Sequence, residues 1–290
     1  MDYIFQISNP ISRSSIGWGG FGIYLFWIAL GWGGILKATN EISMDTSLVI
    51  DSLTVERKLK VSAGSHRAAL RDYGFSPLIY SGSVPSVGLD YSANSDRQHN
   101  LLWIGISYGK LNNRHNAEMT AFSAEIYTLQ TFKWDRLPDG LMLGWSNRNV
   151  FQSRNFSEAQ NFNPRFDYHT NFGLALQYRR DLSNYLPGLE ISISGQFQVI
   201  GFFIQSGYVT NAPSGAEEEG NGGLQTTLQS IRIFHPLEQS DWGLWPGATY
   251  HLASGSSISL TYRYNRTVLE DRHRSESSRG NILLTLMMPL

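Results

Sequence analysis

One pair of residues has the types and spacing of a nucleophile and its base. His273 and Ser275 are separated by a single residue, and Asn281 follows shortly after them. In a hydrolase, a histidine takes the serine proton and a third group orients the histidine. Here the pair falls in a predicted loop rich in Arg and Ser, and its spacing to Asn281 is short. The sequence therefore favours a solvated loop over a catalytic site.

Residues that could bind metal ions are scattered along the chain. The acidic run Glu217-Glu218-Glu219 could attract divalent cations, but it lacks the alternating ligands of a calcium loop. No phosphate-binding Gly loop or zincin motif is present. We therefore expect no cofactor and no metal site, and an enzyme is not the favoured interpretation. The remaining histidines lack the spacing of a ligand face: His66, His99, His115, His169, His235 and His251.

Composition excludes several classes of protein. The chain has 290 residues, enough for one large β domain. Its formal net charge of −1 offers no basic field for nucleic acid, and the absence of Cys excludes disulfides and thiolate metal sites. Charged residues are only 16% and aromatic residues 13% of the chain, with a mean hydropathy of −0.23. These values fit strands in lipid better than membrane helices.

Large apolar residues alternate with small or polar ones along several segments. A strand directs successive side chains to opposite faces, so this period of two predicts strands with one apolar and one polar face. Backbone groups in lipid must pair internally, so only helices and closed barrels cross a membrane. Past the N-terminal region, no apolar run approaches the ~20 residues of a spanning helix. The clearest strands are Phe172–Arg180, Leu189–Val199, Val87–Asn94, Leu102–Tyr108 and Ile258–Asn265. A hairpin is predicted for Ala248–Leu252 and Ile258–Asn265, through the short turn around Ser254-Gly255. We also predict a weaker strand over Leu224–Phe234 and a polar connector over Val268–Arg279.

These patterns predict an all-β fold, an up-and-down antiparallel transmembrane β-barrel of about twelve strands, within a range of about 10–14. A soluble β-sandwich would also alternate. Tyrosines at the ends of the apolar stripes favour the barrel, because aromatic girdles mark the two membrane interfaces. These tyrosines are Tyr91, Tyr108, Tyr178, Tyr262 and Tyr264.

The N-terminal region contains an apolar run, Ile16–Leu36, between Arg13 and Lys37. It is typical of an export signal, and it is also long enough to span a bilayer, so cleavage and retention both stay open. Either interpretation sends the protein out of the cytoplasm. We therefore predict a signal peptide or hydrophobic segment over 1–38, a lead-in over 39–56 and the barrel domain over 57–290.

The chain ends in a predicted strand, Gly280–Leu290, with large apolar residues at alternate positions: Ile282, Leu284, Leu286, Met288 and Leu290. In this respect the chain resembles the bacterial outer-membrane β-barrel proteins over Arg57–Leu290. It departs from their pattern in ending with Leu290 rather than an aromatic residue. The resemblance implies a bacterial outer-membrane location. It also implies that the chain contacts outer-membrane lipid and that the barrel-assembly machinery reads the last strand.

Charged residues on the polar faces are candidates for the lumen lining: Asp90, Glu125, Arg179, Glu190 and Arg263. Such charges either pair across a narrow barrel or line an open one. The first functional hypothesis is a passive pore or transporter for small polar solutes. The alternatives are a closed structural barrel whose loops bind or adhere to partners and, less favoured, a barrel hydrolase acting on lipid. An open path past Arg179, Glu190 and Arg263 would favour the pore.

Overall fold

The computed structural model describes residues 56–73, 76–95, 97–156, 165–205, 231–234, 239–270 and 274–289. The chain divides into two units, Met1–Asp51 and Ser52–Leu290, and the described residues all belong to the second. The predicted N-terminal segment and residues 39–55 of the predicted lead-in therefore lie outside the described residues, as does Leu290, whereas Glu56 already belongs to the first strand. Within the described ranges, no helix is long and apolar enough to cross a membrane.

The described part of the second unit consists of antiparallel strands joined by turns and connecting segments. The strands are β1 (Glu56–Asp72), β2 (Ser76–Asn94), β3 (Gln98–Asn112), β4 (Glu118–Lys133), β5 (Leu141–Phe156), β6 (Arg165–Asp181), β7 (Leu189–Gln205), β8 (Arg232–Phe234), β9 (Ser240–His251), β10 (Ser257–Glu270) and β11 (Arg274–Pro289).

The sheet closes on itself. Neighbours in sequence pair from β1 to β7, β7 pairs with β9, and β9, β10 and β11 follow in order. The ring closes where β11 pairs with β1, in a register that runs from Lys58 opposite Pro289 to Asp72 opposite Ser275. The short β8 pairs only with β7 and adds to the wall without closing it. The fold is therefore an up-and-down barrel with ten strands in the closed wall.

The barrel prediction is confirmed, and the strand count falls at the lower end of the predicted range. Of the weaker candidate Leu224–Phe234, residues 224–230 lie outside the described ranges, and Arg232–Phe234 forms the short β8, which pairs with β7 and is not a strand of the closed ring. The predicted polar connector Val268–Arg279 was wrong in extent. β10 continues to Glu270 and β11 begins at Arg274, so the last two strands are longer than their apolar stripes suggest.

The two rims of the barrel differ, and we name them by what they carry. The terminal rim holds the start of β1 and the end of β11, together with the turns 95–97, 134–140, 182–188 and 252–256. The predicted hairpin around Ser254-Gly255 is one of these turns, and Gly255 adopts a φ of 84° that favours glycine. The other ends of the strands form the opposite rim, which we call the loop rim, and Gln205 of β7 and Arg232 of β8 lie there.

The outer face of the wall is apolar through the middle of the strands. Alternate residues are exposed while the residues between them are buried in the lumen, as the sequence pattern predicts. The best example is β11, where Ile282, Leu284, Leu286 and Met288 are each more than half exposed. Exposed apolar side chains lie on all the long strands except β4, and so many of them would be unfavourable in water. Lipid is the solvent that suits this surface.

The polarity of the strands reverses toward the loop rim. On the outer face of β1 and β2, apolar residues give way to Ser65, Arg67, Ser81 and Ser83. At the same level the lumen becomes apolar, with a packed cluster of Ala68, Leu70, Tyr80, Val84, Leu111, Met119 and Phe156. The strands have up to 19 residues, whereas ~9–11 residues span a bilayer. The reversal therefore marks where the wall leaves lipid and enters water.

The outer face of β5 departs from the apolar pattern at Asn147 and Asn149. The Asn149 amide donates to the Asn147 side-chain oxygen over 2.5 Å. Asn147 in turn donates to the backbone carbonyl of Asn171 over 3.1 Å. These internal hydrogen bonds satisfy amides that lipid could not.

Candidate functional site

The structure places all five predicted lumen residues on the inner side of the wall. Asp90, Glu125 and Arg263 are buried. Arg179 and Glu190 are only partly buried, at the terminal rim. The five do not form a single site, because they belong to separate layers of the lumen, described from the loop rim downward.

The uppermost layer is an ionic cluster of Asp72, Arg154, Arg165 and Asp167. Arg154 donates to Asp72 over 3.1 Å and to Asp167, while Arg165 lies 3.4 Å from Asp72. Strands β1, β5 and β6 are thereby joined across the inside of the barrel. This cluster lies beside the apolar cluster of the loop rim, whose Leu70 and Phe156 share a small cavity with Asp72 and Arg154.

The candidate hydrolase residues do not fit their predicted location. Ser275 was placed in a loop, but it lies in β11, is buried in the lumen and accepts a hydrogen bond from Arg154 over 3.3 Å. Asn281 is also an inward residue of β11. His273 lies outside the described residues. Ser275 therefore belongs to the ionic layer, with a guanidinium as its described partner.

The central ion cluster consists of Glu125, Arg148 and Asp241, from β4, β5 and β9. The Arg148 guanidinium donates to both Glu125 carboxylate oxygens, over 2.9 and 3.2 Å. It also donates to Asp241 Oδ1 over 2.5 Å. Arg148 and Asp241 have no exposed surface. Because one guanidinium holds two carboxylates from distant strands, it bridges the lumen from wall to wall.

Neutral groups and a second cation complete this central cluster. Asn171 donates to Asp241 Oδ2 over 2.8 Å, and the Thr267 hydroxyl donates to Asp241 Oδ1 over 3.1 Å. Arg279 lies 3.8 Å from Glu125 and donates to Ser123 over 2.8 Å. A buried ion pair is stable only when its remaining hydrogen-bonding positions are filled, which these partners achieve.

Below the central cluster, Arg263 is held between two indole rings. Its guanidinium carbon lies 4.3 Å from the ring centroid of Trp103 and 5.1 Å from that of Trp245. It also donates to Asp90 over 3.0 Å, and Tyr127 packs edge-on against Trp245 at 4.4 Å. We call Trp103, Tyr127, Trp245 and Arg263 the aromatic clamp. Cation–π contacts and the ion pair together fix this cation in the middle of the lumen.

At the terminal rim the lumen carries Arg179 beside His99. An Arg179 guanidinium nitrogen lies 2.5 Å from His99 Nε2. The neighbouring Gln177 amide donates to Ser194 over 3.3 Å, and its oxygen accepts from Thr131 over 3.3 Å. Polar side chains therefore meet across the lumen at this level too.

The space left between these layers is small. The larger of the two described cavities, beside His66 and Gln152, has a volume of ≈ 20 Å³. A single water molecule needs ~10–15 Å³ by this kind of measure. This cavity therefore has room for about one water molecule beside the side chains that line it.

Sequence reasoning missed the residues that do most of the filling, namely Arg148, Asp241, Arg154 and the two tryptophans of the aromatic clamp. The inward position of Arg148 could have been predicted from the sequence. On β5, Leu141, Leu143 and Trp145 occupy one face, and continuing that alternation places Arg148 on the opposite, inward face. Asn147 and Asn149 lie on the outward face on either side of Arg148, so both faces of the strand are polar here and the sequence shows no alternation.

Comparison with known proteins shows structural likeness without sequence likeness. No protein-family model and no curated protein sequence matches the chain. Among solved structures, Neisserial surface protein A is 8% identical, with 80% of this chain and 97% of that chain covered and a TM-score of 0.37. The translocator domain of autotransporter NalP from Neisseria meningitidis is 11% identical, with 88% and 95% covered and a TM-score of 0.35. An outer membrane channel from Pseudomonas putida F1 is 12% identical, with 85% and 100% covered and a TM-score of 0.32.

All three TM-scores lie below 0.5, so we assign the class of the protein from the geometry of the barrel and not from these similarities. Its ten-stranded wall is closed, its outer face is apolar, and its lumen is ionic and hydrogen-bonded. Strands cross a membrane only in a closed wall of this kind. The chain is therefore a transmembrane β-barrel, and its closed antiparallel wall is the fold that the sequence predicted.

Proposed function

We propose that the chain works as a closed outer-membrane barrel, which holds its loop-rim segments at the membrane surface and does not pass polar solutes by free diffusion. The observation that carries this proposal is the central ion cluster. Arg148 is fully buried and joins carboxylates of β4 and β9 across the lumen. A solute path would have to separate these ions, which costs several kcal/mol.

The aromatic clamp and the upper ionic cluster support the same proposal. Each blocks the lumen at a different level, so opening one layer would leave the others in place. The predicted criterion for a pore was an open path past Arg179, Glu190 and Arg263. Instead, Arg263 lies between two indole rings and is 8% exposed.

A passive pore for small polar solutes is the second candidate. The observation that favours it is the mixed charge of the lumen wall, where Arg179 and Glu190 are only partly buried. Neither sign of charge dominates such a wall, so an open form would have weak ion selectivity.

Ion conductance in a planar bilayer tests the proposal. Folded protein, identified by heat-modifiable migration on gels, should give no steady channels, because three layers of side chains occupy the lumen. Replacing the outer-face residue Lys110 with Gln should leave this result unchanged. Steady wild-type conductance that shifts toward cations in Arg179→Gln/Arg263→Gln would contradict the closed barrel and support the pore.

A further inference from the structure

Three neighbouring strands share a polar patch on the outer face of the barrel. β11 lies between β1 and β10, and its Gly280 pairs with Arg67 of β1 on one side and Tyr264 of β10 on the other. Two residues nearer the loop rim, Ser278 of β11 pairs with Arg266 of β10. Arg67 and Arg266 are exposed. They therefore stand at opposite corners of the patch, with only small residues of β11 between them.

The patch lies where the apolar outer face ends. Along β11, Gly280 comes directly after the exposed stripe that begins at Ile282. Along β10, Arg266 follows Leu260, Tyr262 and Tyr264 on the same face. Arg67 stands likewise beyond Val61 and Ala63 on β1. All three strands thus place the patch at the depth of lipid headgroups rather than acyl chains.

The two arginines have no counter-charge of their own. Within the described residues, the side chains of Arg67 and Arg266 make no hydrogen bond or ion pair. Arg274 on the same face of the barrel differs, because its guanidinium pairs with Glu276 at 2.8 Å. The patch therefore has an excess of positive charge that the protein itself does not neutralise.

The floor of the patch is formed by Gly280 and the ring of Tyr262. A Cβ atom at position 280 would lie only 2.7 Å from the Tyr262 hydroxyl, so this hydroxyl sits directly over the glycine. Two strand spacings and an offset of two residues separate the Cα atoms of the two arginines by about 12 Å. Two arginine side chains can bend toward one group across that distance, above the tyrosine hydroxyl.

We propose that Arg67, Arg266 and Tyr262 bind a phosphate group of a membrane lipid in the leaflet at the loop rim. Guanidinium groups bind phosphate through paired, charge-assisted hydrogen bonds. The adjoining apolar stripe of β10 and β11 would contact the acyl chains of the same lipid, which a free phosphate ion lacks. The proposal depends on the membrane position of the wall and is independent of whether the lumen is closed.

Native mass spectrometry of the folded barrel tests this site, with diphosphorylated lipid A and its dephosphorylated form as probes. The wild type should retain the phosphorylated lipid more strongly. Arg67→Gln/Arg266→Gln should weaken that retention by about tenfold or more, since hydrogen bonds to charged groups contribute ~1.5–3 kcal/mol each. Arg274→Gln is the matched control and should retain the lipid like the wild type, because Arg274 is already paired with Glu276.

Equal retention by the wild type and the double variant would overturn the proposal. So would equal retention of the two lipids, or inorganic phosphate binding as tightly as the phosphorylated lipid. Heat-modifiable migration shows whether each variant is folded. If the double variant does not fold, the single variants Arg67→Gln and Arg266→Gln decide the matter, and the absence of any loss in both would reject the site.

Discussion

The buried guanidinium of Arg148 has no exposed surface, so the carboxylates of Glu125 and Asp241 are its counter-charges in place of water. Removing the guanidinium would leave Glu125 and Asp241 buried without their principal counter-ion. We expect Arg148→Met to lower the free energy of unfolding by about 3–5 kcal/mol. Urea unfolding of the barrel in lipid vesicles, followed by tryptophan fluorescence, measures this loss.

Lys110→Met is the matched control for the loss of a cation beside a carboxylate. The Lys110 ammonium pairs with Glu118 at 2.9 Å, but its side chain is 66% exposed. Water screens such an exposed pair, so it contributes little to stability and this variant should be close to the wild type. Similar losses in both variants would show that the lumen around Arg148 is hydrated and not sealed.

Individual residues of the lumen were partly predictable. The alternation of β2, β4 and β10 placed Asp90, Glu125 and Arg263 inward from the sequence alone. Their partners were not predictable, because Asp90 and Arg263 are 173 positions apart. Nothing in a single sequence records which distant strands face each other across a lumen.

At the scale of the strand, the outer face contacts lipid over part of its length and water nearer the loop rim. Two residues of β2 test where the boundary between lipid and water lies. Leu89 and Ser81 both point outward, and Leu89 belongs to the apolar stripe, while Ser81 lies beyond it toward the loop rim. We expect Leu89→Arg to cost about 2–4 kcal/mol and Ser81→Arg about 0–1 kcal/mol, since the cost of a lipid-facing charge depends on depth. Unfolding in lipid vesicles measures both. Equal costs would contradict the membrane boundary drawn between them.

The facing of strands could be predicted wherever alternation was unbroken, because the geometry of a strand imposes a period of two. The alternation of inward and outward residues is interrupted in β7, where the register against β6 shifts between Phe172 and Gly173. Val199 and the next residue, Ile200, are consequently both exposed on the outer face. A bulge adds one residue to one strand, and the sequence of two consecutive apolar residues does not reveal it.

At the scale of the whole molecule, closure requires that β11 lie beside β1. Ala69 of β1 faces Ser278 of β11 on one side and Ser81 of β2 on the other. The chain has no cysteine, so a disulfide within the chain must join two introduced cysteines and shows that their positions are close. Ala69→Cys/Ser278→Cys should form a disulfide under mild oxidation, because facing Cα atoms lie about 4.5–5.5 Å apart. Denaturing gels without reductant would detect it.

Ser81→Cys/Ser278→Cys is the control for this closure. These two positions lie on either side of β1, about 10 Å apart across two strand spacings, which is too far for a disulfide. A cross-link in this pair, or none in Ala69→Cys/Ser278→Cys despite folded protein, would show that the wall closes elsewhere.

The barrel class and the direction of its strands could be predicted, whereas the number of strands could not be fixed from the sequence. A three-residue strand such as β8 leaves no periodic pattern to count. Conversely, Val268–Arg279 appeared to be a connector, because β10 and β11 carry polar outer faces once they pass beyond lipid. An alternation of apolar and polar residues identifies a strand only where the two faces of that strand contact different solvents.

The lumenal ion pairs also set an order of events during biogenesis. Arg148 and Asp241 are 93 positions apart, and Arg154 and Asp72 are 82 apart. Contacts of such high sequence separation form late, after the loop entropy between them has been lost. Until the sheet curls and its first and last strands meet, these side chains keep their water. Dehydration of the interior and the joining of the ends are therefore one event, and a half-assembled wall lacks the long-range pairs that join distant strands in the finished protein.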